Sequence, residues 1–453
     1  MRVHFIAIGG AAMHNLAIAL KIKGFTVSGS DDLITEPSKS RLQQHQLLPT
    51  QQGWDANKIT TDINAIILGM HARIDNPELV KAQQLGLRIY SYPEYIYAQS
   101  KNKTRVVIGG SHGKTTITSM ILHTLKYYGK DFDYLVGAQI EGFDNMVKLS
   151  TAPIIVIEGD EYLASPIDRR PKFHIYQPHI AIISGIAWDH INVFPTFKNY
   201  IQQFDLFIDT IKPNGALIYC AEDKVVDDLV NQKNPHLQLL PYNTPRYVIK
   251  NGITYLINGD SEVSLEIFGQ HNLLNLNAAK LACMQLGIPE NAFYTAISNF
   301  KGAARRLEIM GKNKYTTIFK DFAHSPSKLV ATIAAVKQQF PNRKLIACIE
   351  LHTFSSLNKQ FLNEYKNTMN QADAAIIYVN NMTFAHKGLK PFTHSEIVDA
   401  FNKKDLILIT SSHSLYNYLI NLSLKNMNLL MMSSGNFDAL DLKQLTGTLL
   451  RLK

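Results

Sequence analysis

The chain has 453 residues, 46% of them hydrophobic, which is enough for several buried cores and about three domains of ordinary size. Its net charge of +9 comes from scattered Lys and Arg residues, and three widely separated cysteines argue against a disulfide framework or a zinc site. Without a basic tract, a signal-peptide pattern or an apolar run long enough to cross a bilayer, we expect a cytoplasmic protein with neither a nucleic-acid nor a membrane partner.

The first block of the chain is typical of the opening of a nucleotide-binding sheet, where ligands bind at the carboxyl ends of parallel strands. In chain order it contains a strand over Val3–Ile8, the turn Gly9-Gly10, a helix to about Lys23, a strand over Phe25–Ser28, the polar residues Ser30 and Asp31, and a strand over Ala65–Leu68 followed by His71 and Arg73. The dinucleotide fingerprint G-x-G-x-x-G is absent, because Ala7 and Ala12 stand where glycines are needed. An NAD-linked dehydrogenase remains the rival interpretation of this block.

The second block opens with a strand around Val106–Ile108 and the most informative stretch of the chain, a glycine-rich turn with a lysine and two threonines: Gly110, Ser111, His112, Gly113, Lys114, Thr115 and Thr116. Glycines let backbone N–H groups close on a phosphate, and the helix predicted after the turn points its positive end at the same anion. Lys114, expected at an exposed mouth, supplies charge for the β- and γ-phosphates, and Thr115 can ligate Mg²⁺. Although Ile108 stands where the general P-loop pattern has glycine, the stretch predicts an ATP site.

Acidic and histidine residues follow later strands of the same block. A strand over Ile154–Ile157 ends at Glu158, and a strand over Ile180–Ile183 leads to His190. Because Mg²⁺ prefers oxygen ligands and bridges phosphates, a carboxylate at a strand end beside a P-loop is where the metal is needed. We therefore expect Glu158 to hold Mg²⁺. Asn272 lies near the start of a later helix, where capping is the ordinary role.

The third block, from about Gly302, repeats the alternation of strands and helices. In chain order it contains Arg306, a strand ending near Phe319, Asp321, His324, a helix from Ser325-Pro326 to about Gln339, a strand over Leu345–Ile349, Glu350, His352, and strands near Ala374–Val379, Leu406–Ile409 and Leu429–Met432. The predicted fold class is therefore α/β throughout.

The order of these motifs resembles the Mur ligase family, the ATP-dependent enzymes that build the peptide stem of the bacterial cell wall, and the resemblance covers essentially the whole chain. It implies a three-domain architecture with a Rossmann-like N-terminal domain, a P-loop ATPase central domain and a Rossmann-like C-terminal domain. The implied boundaries are 1–102 for a UDP-sugar-binding domain, 103–300 for an ATP-binding domain and 301–453 for an acceptor-binding domain. ATP and Mg²⁺ are the implied cofactors, and a monomer or weak homodimer is expected.

The resemblance also implies roles for individual residues. The implied catalytic residues are Lys114, His190 and His324. The implied nucleotide contacts are Gly110, Ser111, His112, Gly113, Lys114, Thr115, Thr116, Asn272, Arg306 and Asp321. The implied metal ligands are Thr115, Glu158 and His190. The substrate-binding residues are expected to be Gly9, Gly10, Met13, Ser30, Asp31, His71, Arg73, Arg169, Arg170 and His352.

Two kinds of family member act on UDP-N-acetylmuramate, and one loop separates them. In members that add L-alanine, the loop after the strand ending at Glu350 typically carries a His-Arg pair and a further arginine. Here His352 remains, but Thr353 and Ser356 stand at the arginine positions. Such an arginine could clamp the carboxylate of a small amino acid, so its loss suits a longer acceptor.

Segments 69–77 and 161–173 resemble the members that add a recycled tripeptide. The expected activity is therefore ligation of L-alanyl-γ-D-glutamyl-meso-diaminopimelate to UDP-N-acetylmuramate through an acyl phosphate, in peptidoglycan recycling. The alternative is ligation of L-alanine in peptidoglycan biosynthesis. A non-catalytic nucleotide-binding protein is a further alternative, against which Glu158 and His190 speak.

Overall fold

The structure, a computed structural model, describes residues 1–140, 142–189, 193–233, 236–303 and 306–451. The backbone packs into two compact units. The first unit contains Met1–Ile186, Lys198–Asn243 and Ala278–Ala296, and the second contains Ala187–Phe197, Thr244–Asn277 and Ile297–Lys453. None of the described helices is both long enough and apolar enough to span a bilayer.

The N-terminal sheet is parallel, with the strand order β2-β1-β3-β4. Its strands are β1 (Arg2–Ile6), β2 (Thr26–Ser30), β3 (Ala65–Leu68) and β4 (Ile89–Ser91), and its helices are α1 (Ala11–Ile22), α2 (Ser38–Gln44), α3 (Pro77–Gln84) and α4 (Tyr92–Gln99). The predicted strand at Ala65–Leu68 is confirmed. The first strand ends two residues before the predicted Ile8, because Ala7 adopts a left-handed conformation with φ +70° and turns the chain.

The central sheet has the order β11-β10-β9-β5-β8-β6-β7 and is parallel except for the β6–β7 hairpin. Its strands are β5 (Thr104–Gly109), β6 (Phe132–Leu135), β7 (Val147–Lys148), β8 (Ile154–Glu158), β9 (Ile180–Ile183), β10 (Ala216–Cys220) and β11 (Gln238–Tyr242). The helices α5 (Lys114–Tyr127), α6 (Phe197–Asp209) and α7 (Lys224–Lys233) follow β5, β9 and β10, and α8 (Gln270–Gln285) and α9 (Glu290–Ile297) come later in the chain. Since β5 lies between β8 and β9, the carboxyl ends of these three strands meet at one edge.

Two sheets follow later in the chain. A small antiparallel sheet, absent from the sequence prediction, consists of β12 (Tyr247–Lys250), β13 (Ile253–Asn258) and β14 (Ser261–Leu265). The C-terminal sheet has the order β15-β16-β20-β17-β18-β19 and is parallel except for β15. Its strands are β15 (Glu308–Lys312), β16 (Thr317–Asp321), β17 (Lys344–Glu350), β18 (Ala374–Tyr378), β19 (Ile407–Ile409) and β20 (Met427–Met432).

The C-terminal helices cover both faces of this sheet, so each face has its own apolar core. They are α10 (Pro326–Gln339), α11 (Lys359–Leu362), α12 (Asn381–His386), α13 (His394–Phe401), α14 (Ser412–Ile420) and α15 (Leu442–Arg451). Short 3₁₀ turns lie at Ala56–Lys58, Lys172–Ile175 and Asn363–Tyr365. The three cysteines are buried free thiols, as their apolar surroundings in the sequence suggest.

Candidate active site

The turn after β5 depends on glycine at two positions. Gly110 and Gly113 have φ angles of +134° and +80°, which side chains with a Cβ adopt at a cost. A Cβ at Gly110 would lie 2.1 Å from the Ser184 hydroxyl, which itself donates a hydrogen bond to the His112 carbonyl. The turn therefore packs closely on the segment after β9, and α5 begins directly after it at Lys114. A helix N-terminus behind a glycine turn is suited to bind phosphate.

Lys114 is held by a buried carboxylate. Its Nζ lies 2.7 Å from Oε2 of Glu161 and also donates to the Gly110 carbonyl. The Tyr200 hydroxyl donates to the other carboxylate oxygen, Oε1, at 3.0 Å, and lies 2.9 Å from the Ser111 hydroxyl. The Lys114 side chain is 15% exposed and that of Glu161 1%, so the predicted exposed mouth is wrong. The ammonium group of Lys114, carried on a flexible side chain, therefore lies at the glycine turn after β5.

The acidic run after β8 keeps Lys114 charged. Burial disfavours the ammonium form, but attraction to Glu161 and Asp160 outweighs it and raises the pKa of Lys114 above its usual value. Burial alone would raise the pKa of the Asp160 carboxyl, but attraction to the nearby Lys172 ammonium outweighs it and lowers that pKa. Sequence reasoning missed the roles of Glu161 and Tyr200. Glu161 belongs to the acidic run that begins at Glu158, but only the fold shows that its carboxylate meets Lys114.

Thr115 and Glu158, two of the predicted metal ligands, are in contact. The Thr115 hydroxyl donates to Oε1 of Glu158 at 2.8 Å, and the Gly137 N–H donates to Oε2 at 2.8 Å. Neighbouring oxygen ligands of an octahedral Mg²⁺ with bonds of ~2.1 Å lie ~3 Å apart, so this pair of hard oxygen donors fits the ion. His190 lies outside the described residues. Within the part of the chain that the structure describes, no group of three or more His, Cys, Asp or Glu side chains could hold a metal.

His112 packs against a glycine that sequence reasoning did not single out. A Cβ at Gly185, where φ is +151°, would lie 2.3 Å from the His112 imidazole and 3.1 Å from the Asp223 carboxylate. Asp223 in turn accepts a hydrogen bond from the Ile186 N–H at 2.9 Å. The His112 imidazole and the Asp223 carboxylate therefore pack against Gly185, in the segment after β9. Thr116 is buried on α5.

Predicted sugar-nucleotide residues meet at the carboxyl edge of the N-terminal sheet. The Gly9 N–H donates to Oδ2 of Asp31 at 2.7 Å, and the Ser30 carbonyl accepts from the N–H groups of Ala7 and Ile8. Burial raises the pKa of Asp31 to about 6, although the Gly9 hydrogen bond acts in the opposite direction. His71 and Arg73 are exposed on the loop after β3, while Gly10 and the buried Met13 lie at the start of α1.

In the second unit, Asp321 and Arg306 are near neighbours. The Asp321 carboxylate accepts hydrogen bonds from the N–H groups of Leu307 and Ala323, each at 2.7 Å. Burial raises the pKa of Asp321, although Arg306 acts in the opposite direction. The Arg306 guanidinium lies over the Phe322 ring, 4.6 Å from its centroid. A planar cation just before β15 and a buried carboxylate at the end of β16 thus lie near each other in the C-terminal sheet.

His324 is held as a neutral imidazole. Burial, reinforced by the nearby Lys328 ammonium, lowers its pKa to about 3. Its Nδ1 lies 2.8 Å from the Phe322 carbonyl, so Nδ1 carries the proton and Nε2 presents a lone pair. Asn272 is the third residue of α8, inside the helix and not at its cap, and its amide donates to the Phe268 carbonyl. The capping interpretation of Asn272 is wrong.

The predicted acceptor residues lie in different units. Arg170 in the first unit forms a bidentate pair with Asp168 at 3.0 and 2.7 Å, while Arg169 is exposed. His352 in the second unit is half-buried on the loop after β17. On the same loop the hydroxyls of Thr353 and Ser356 lie 3.0 Å apart.

Three protein-family models match successive parts of the chain. They are the Mur ligase family catalytic domain over residues 2–104, the Mur ligase middle domain over 108–283 and the Mur ligase glutamate ligase domain over 305–435. A UDP-N-acetylmuramate–L-alanine ligase from Caldicellulosiruptor bescii is 31% identical over 386 residues, covering 82% of this chain and 82% of the relative. The chain belongs to the Mur ligase family. Another such ligase, from Carboxydothermus hydrogenoformans, is 27% identical and covers 98% of this chain and 96% of the relative.

Solved Mur ligase structures share the fold. A murein peptide ligase from Psychrobacter arcticus has a TM-score of 0.67 at 22% identity, covering 100% of this chain and 99% of its own. A UDP-N-acetylmuramate–alanine ligase from Thermotoga maritima has a TM-score of 0.70 at 20% identity, covering 99% and 98%. Mur ligases are ATP-dependent amide-bond ligases. The predicted three-domain α/β fold and ligase activity are confirmed, and the dehydrogenase alternative is excluded.

Proposed function

We propose that this Mur ligase joins L-alanyl-γ-D-glutamyl-meso-diaminopimelate to the lactyl carboxylate of UDP-N-acetylmuramate. The observation that carries the choice of acceptor is the loop after β17. Thr353 Oγ1 donates to Ser356 Oγ at 3.0 Å and accepts from the Ser356 N–H at 3.1 Å, so the two residues satisfy each other. They stand where L-alanine-adding members are expected to place arginines. A loop with this threonine and serine, hydrogen-bonded to each other, offers no guanidinium to the carboxylate of free alanine.

In this proposal residues 1–102 bind the UDP-sugar, 103–300 bind ATP and 301–453 bind the acceptor. Gly9, Gly10, Ser30 and Asp31 form the edge of the N-terminal sheet that receives the sugar nucleotide. The turn before α5 receives the ATP phosphates, with Asn272, Arg306 and Asp321 as further nucleotide contacts. The acceptor is assigned to His324, His352 and the arginine pair Arg169 and Arg170.

The chemistry follows from charge placement. The lactyl carboxylate attacks the γ-phosphorus of ATP, ADP leaves, and an acyl phosphate forms. Lys114 leaves its carboxylate partner to neutralise the phosphates, and this step depends mainly on positioning and charge. Thr115 and Glu158 would hold Mg²⁺, which supplies further neutralisation when bound.

The alanyl amine of the acceptor then attacks the acyl carbonyl carbon, an amide forms and inorganic phosphate leaves. His324 is suited to orient the amine, because its Nε2 lone pair can accept a hydrogen bond from it, while the proton that the amine loses leaves with the phosphate as hydrogen phosphate. A histidine charged at neutral pH would instead repel the ammonium form of the acceptor.

Ligation of free L-alanine is the second candidate. It is favoured by the curated relatives, since those from Caldicellulosiruptor bescii and Carboxydothermus hydrogenoformans are both named UDP-N-acetylmuramate–L-alanine ligases. The two candidates share the ATP site and the sugar nucleotide, and differ only in the amine.

Phosphate release from ATP with UDP-N-acetylmuramate and either amine separates them. We expect kcat/KM for the tripeptide to exceed that for L-alanine by about 30-fold, if its extra carboxylates gain about 2 kcal/mol from one charge-assisted contact. Installing the arginine with Thr353→Arg should raise kcat/KM for L-alanine, while Thr448→Arg on α15, which packs against the opposite face of the C-terminal sheet from this loop, should not. Equal or better use of L-alanine by the wild type would assign the biosynthetic reaction instead.

A further inference from the structure

The β6–β7 hairpin holds the Glu158 carboxylate at one end. Gly137, two residues after β6, donates its N–H to Oε2 of Glu158 at 2.8 Å. A Cβ on Gly137 would lie 2.9 Å from Oε1 of the same carboxylate, so the backbone is packed directly against it. A shift of this backbone would therefore move Glu158 relative to Thr115.

The position of Gly137 is set by the return strand of the hairpin. Leu135 pairs with Val147, and the Val136 N–H donates to the Met146 carbonyl at 3.0 Å. Because β7 is only two residues long, this pairing needs additional support.

That support comes from the helices of the N-terminal sheet. The Asn145 amide donates to the Asn15 carbonyl on α1 at 2.9 Å and to the Val147 carbonyl at 3.0 Å. Its Oδ1 accepts from Arg41 on α2 at 3.0 Å. The Met146 N–H donates to Oδ1 of Asn15 at 3.3 Å. Asn15 is fully buried and Asn145 is 8% exposed, so water competes little with these bonds.

The same network reaches the glycine turn proposed for the sugar nucleotide. The imidazole Nδ1 of His14, next to Asn15, lies 2.9 Å from the Gly10 carbonyl, and its Nε2 accepts from the Asn15 amide at 3.0 Å. Hydrogen bonds thus connect the strand end after β1, the start of α1, the hairpin and the metal-binding carboxylate.

We propose that Asn145 and Asn15 are positioning residues that hold the Glu158 carboxylate in register with the sugar-nucleotide turn, so that UDP-N-acetylmuramate and magnesium nucleotide strengthen each other's binding. The proposal rests on the proposed metal role of Glu158 and the proposed sugar-nucleotide role of the N-terminal sheet. Neither asparagine touches a substrate in this scheme. Their effect passes through the backbone at Gly137 and through α1.

The experiment measures the affinity of AMP-PNP as a function of Mg²⁺, and the affinity of UDP-N-acetylmuramate with and without AMP-PNP and Mg²⁺. The variant Asn145→Asp keeps size and the acceptor toward Arg41 but loses both N–H donations. Arg41→Met tests the same hairpin from a half-buried position. Asn64→Ala is the matched control, since Asn64 accepts from the Arg2 N–H near the other end of β1. Thermal melts check that each variant is folded.

We expect Asn145→Asp to raise the Mg²⁺ requirement of AMP-PNP binding about tenfold, as losing a group that orients a metal ligand does. It should also remove most of a wild-type coupling expected to be ~5-fold or larger. Arg41→Met should act in the same direction and Asn64→Ala should match the wild type.

The proposed metal site and the present inference fail in different ways. If Glu158→Ala changes the Mg²⁺ dependence while Asn145→Asp does not, the positioning role is overturned and the metal site stands. If Glu158→Ala leaves the dependence unchanged, the proposed metal site falls, and the positioning role with it. A wild type without coupling between the two ligands, or an Asn64→Ala effect as large as that of Asn145→Asp, also overturns the inference.

Discussion

Removing the Lys114 charge should damage both the reaction and the fold, and the two effects can be separated. In Lys114→Met, Glu161 keeps its charge in a site where its side chain is 1% exposed, with Tyr200 as a remaining donor. Breaking a buried pair from one side costs about 3–5 kcal/mol, because one charge is left uncompensated. At the low end this lowers the melting temperature by roughly 6–12 °C for a domain of ordinary size.

Turnover should fall by about 10²–10³-fold, the usual effect of removing one group that stabilises developing charge. The double variant Lys114→Met with Glu161→Gln removes both charges and should recover most of the melting temperature but none of the turnover. Calorimetry and steady-state phosphate release measure the two quantities on the same samples. If Lys114→Met melts with the wild type, or if the double variant melts no higher than the single one, the buried pair does not carry the stability assigned to it.

Three further predictions concern the metal, the phosphate turn and pH. Glu158→Ala should raise the Mg²⁺ concentration needed for half-maximal turnover and lower the maximal rate; overlapping Mg²⁺ titrations would contradict the assignment. Gly185→Ala should raise the KM for ATP about tenfold or more, because its methyl group would displace His112, and an unchanged KM would show that the turn relaxes freely. Burial raises the pKa of Asp31 from 3.8 to about 6, so this group's contribution to stability is lost as pH rises through that interval. Asp31→Asn should therefore flatten the dependence of melting temperature on pH between about 4 and 6, and parallel wild-type and variant curves would refute it.

Three strands of the central sheet, β5, β8 and β9, could be predicted because each contains a short, continuous apolar run, as parallel strands buried on both faces require. Because the carboxyl ends of parallel strands meet at one edge of a sheet, the sequence pattern alone predicts that Thr115 and Glu158 lie near each other. The partner of Lys114 could not be predicted in the same way. Glu161 is 47 positions away along the chain, and its contact depends on β8 lying directly beside β5.

The small antiparallel sheet is not among the predicted elements, although its sequence signals are local. The strands β12, β13 and β14 carry polar and charged residues such as Lys250 and Glu262, which pair across the sheet. The signals are nevertheless present: Asn251-Gly252, both at positive φ, form the two-residue turn between β12 and β13, and Val263, Leu265 and Ile267 alternate with polar residues in and after β14. The sheet also contacts α10, where the Gln339 amide donates to the Gly252 carbonyl and its Oε1 accepts from Thr254.

Ala7 shows how a departure visible in the sequence is compensated in the fold. Alanine stands where a glycine is expected, and the structure puts it at φ +70°, a conformation that costs a non-glycine residue on the order of 1 kcal/mol. The turn is needed because it directs the N–H groups of Ala7 and Ile8 at the Ser30 carbonyl. The methyl group is accommodated because its neighbour after β3 is Gly69, where a Cβ would lie 2.9 Å from that of Ala7. The missing glycine and the glycine that makes room for its replacement are 62 positions apart in sequence, so only the pairing of β1 with β3 brings them together.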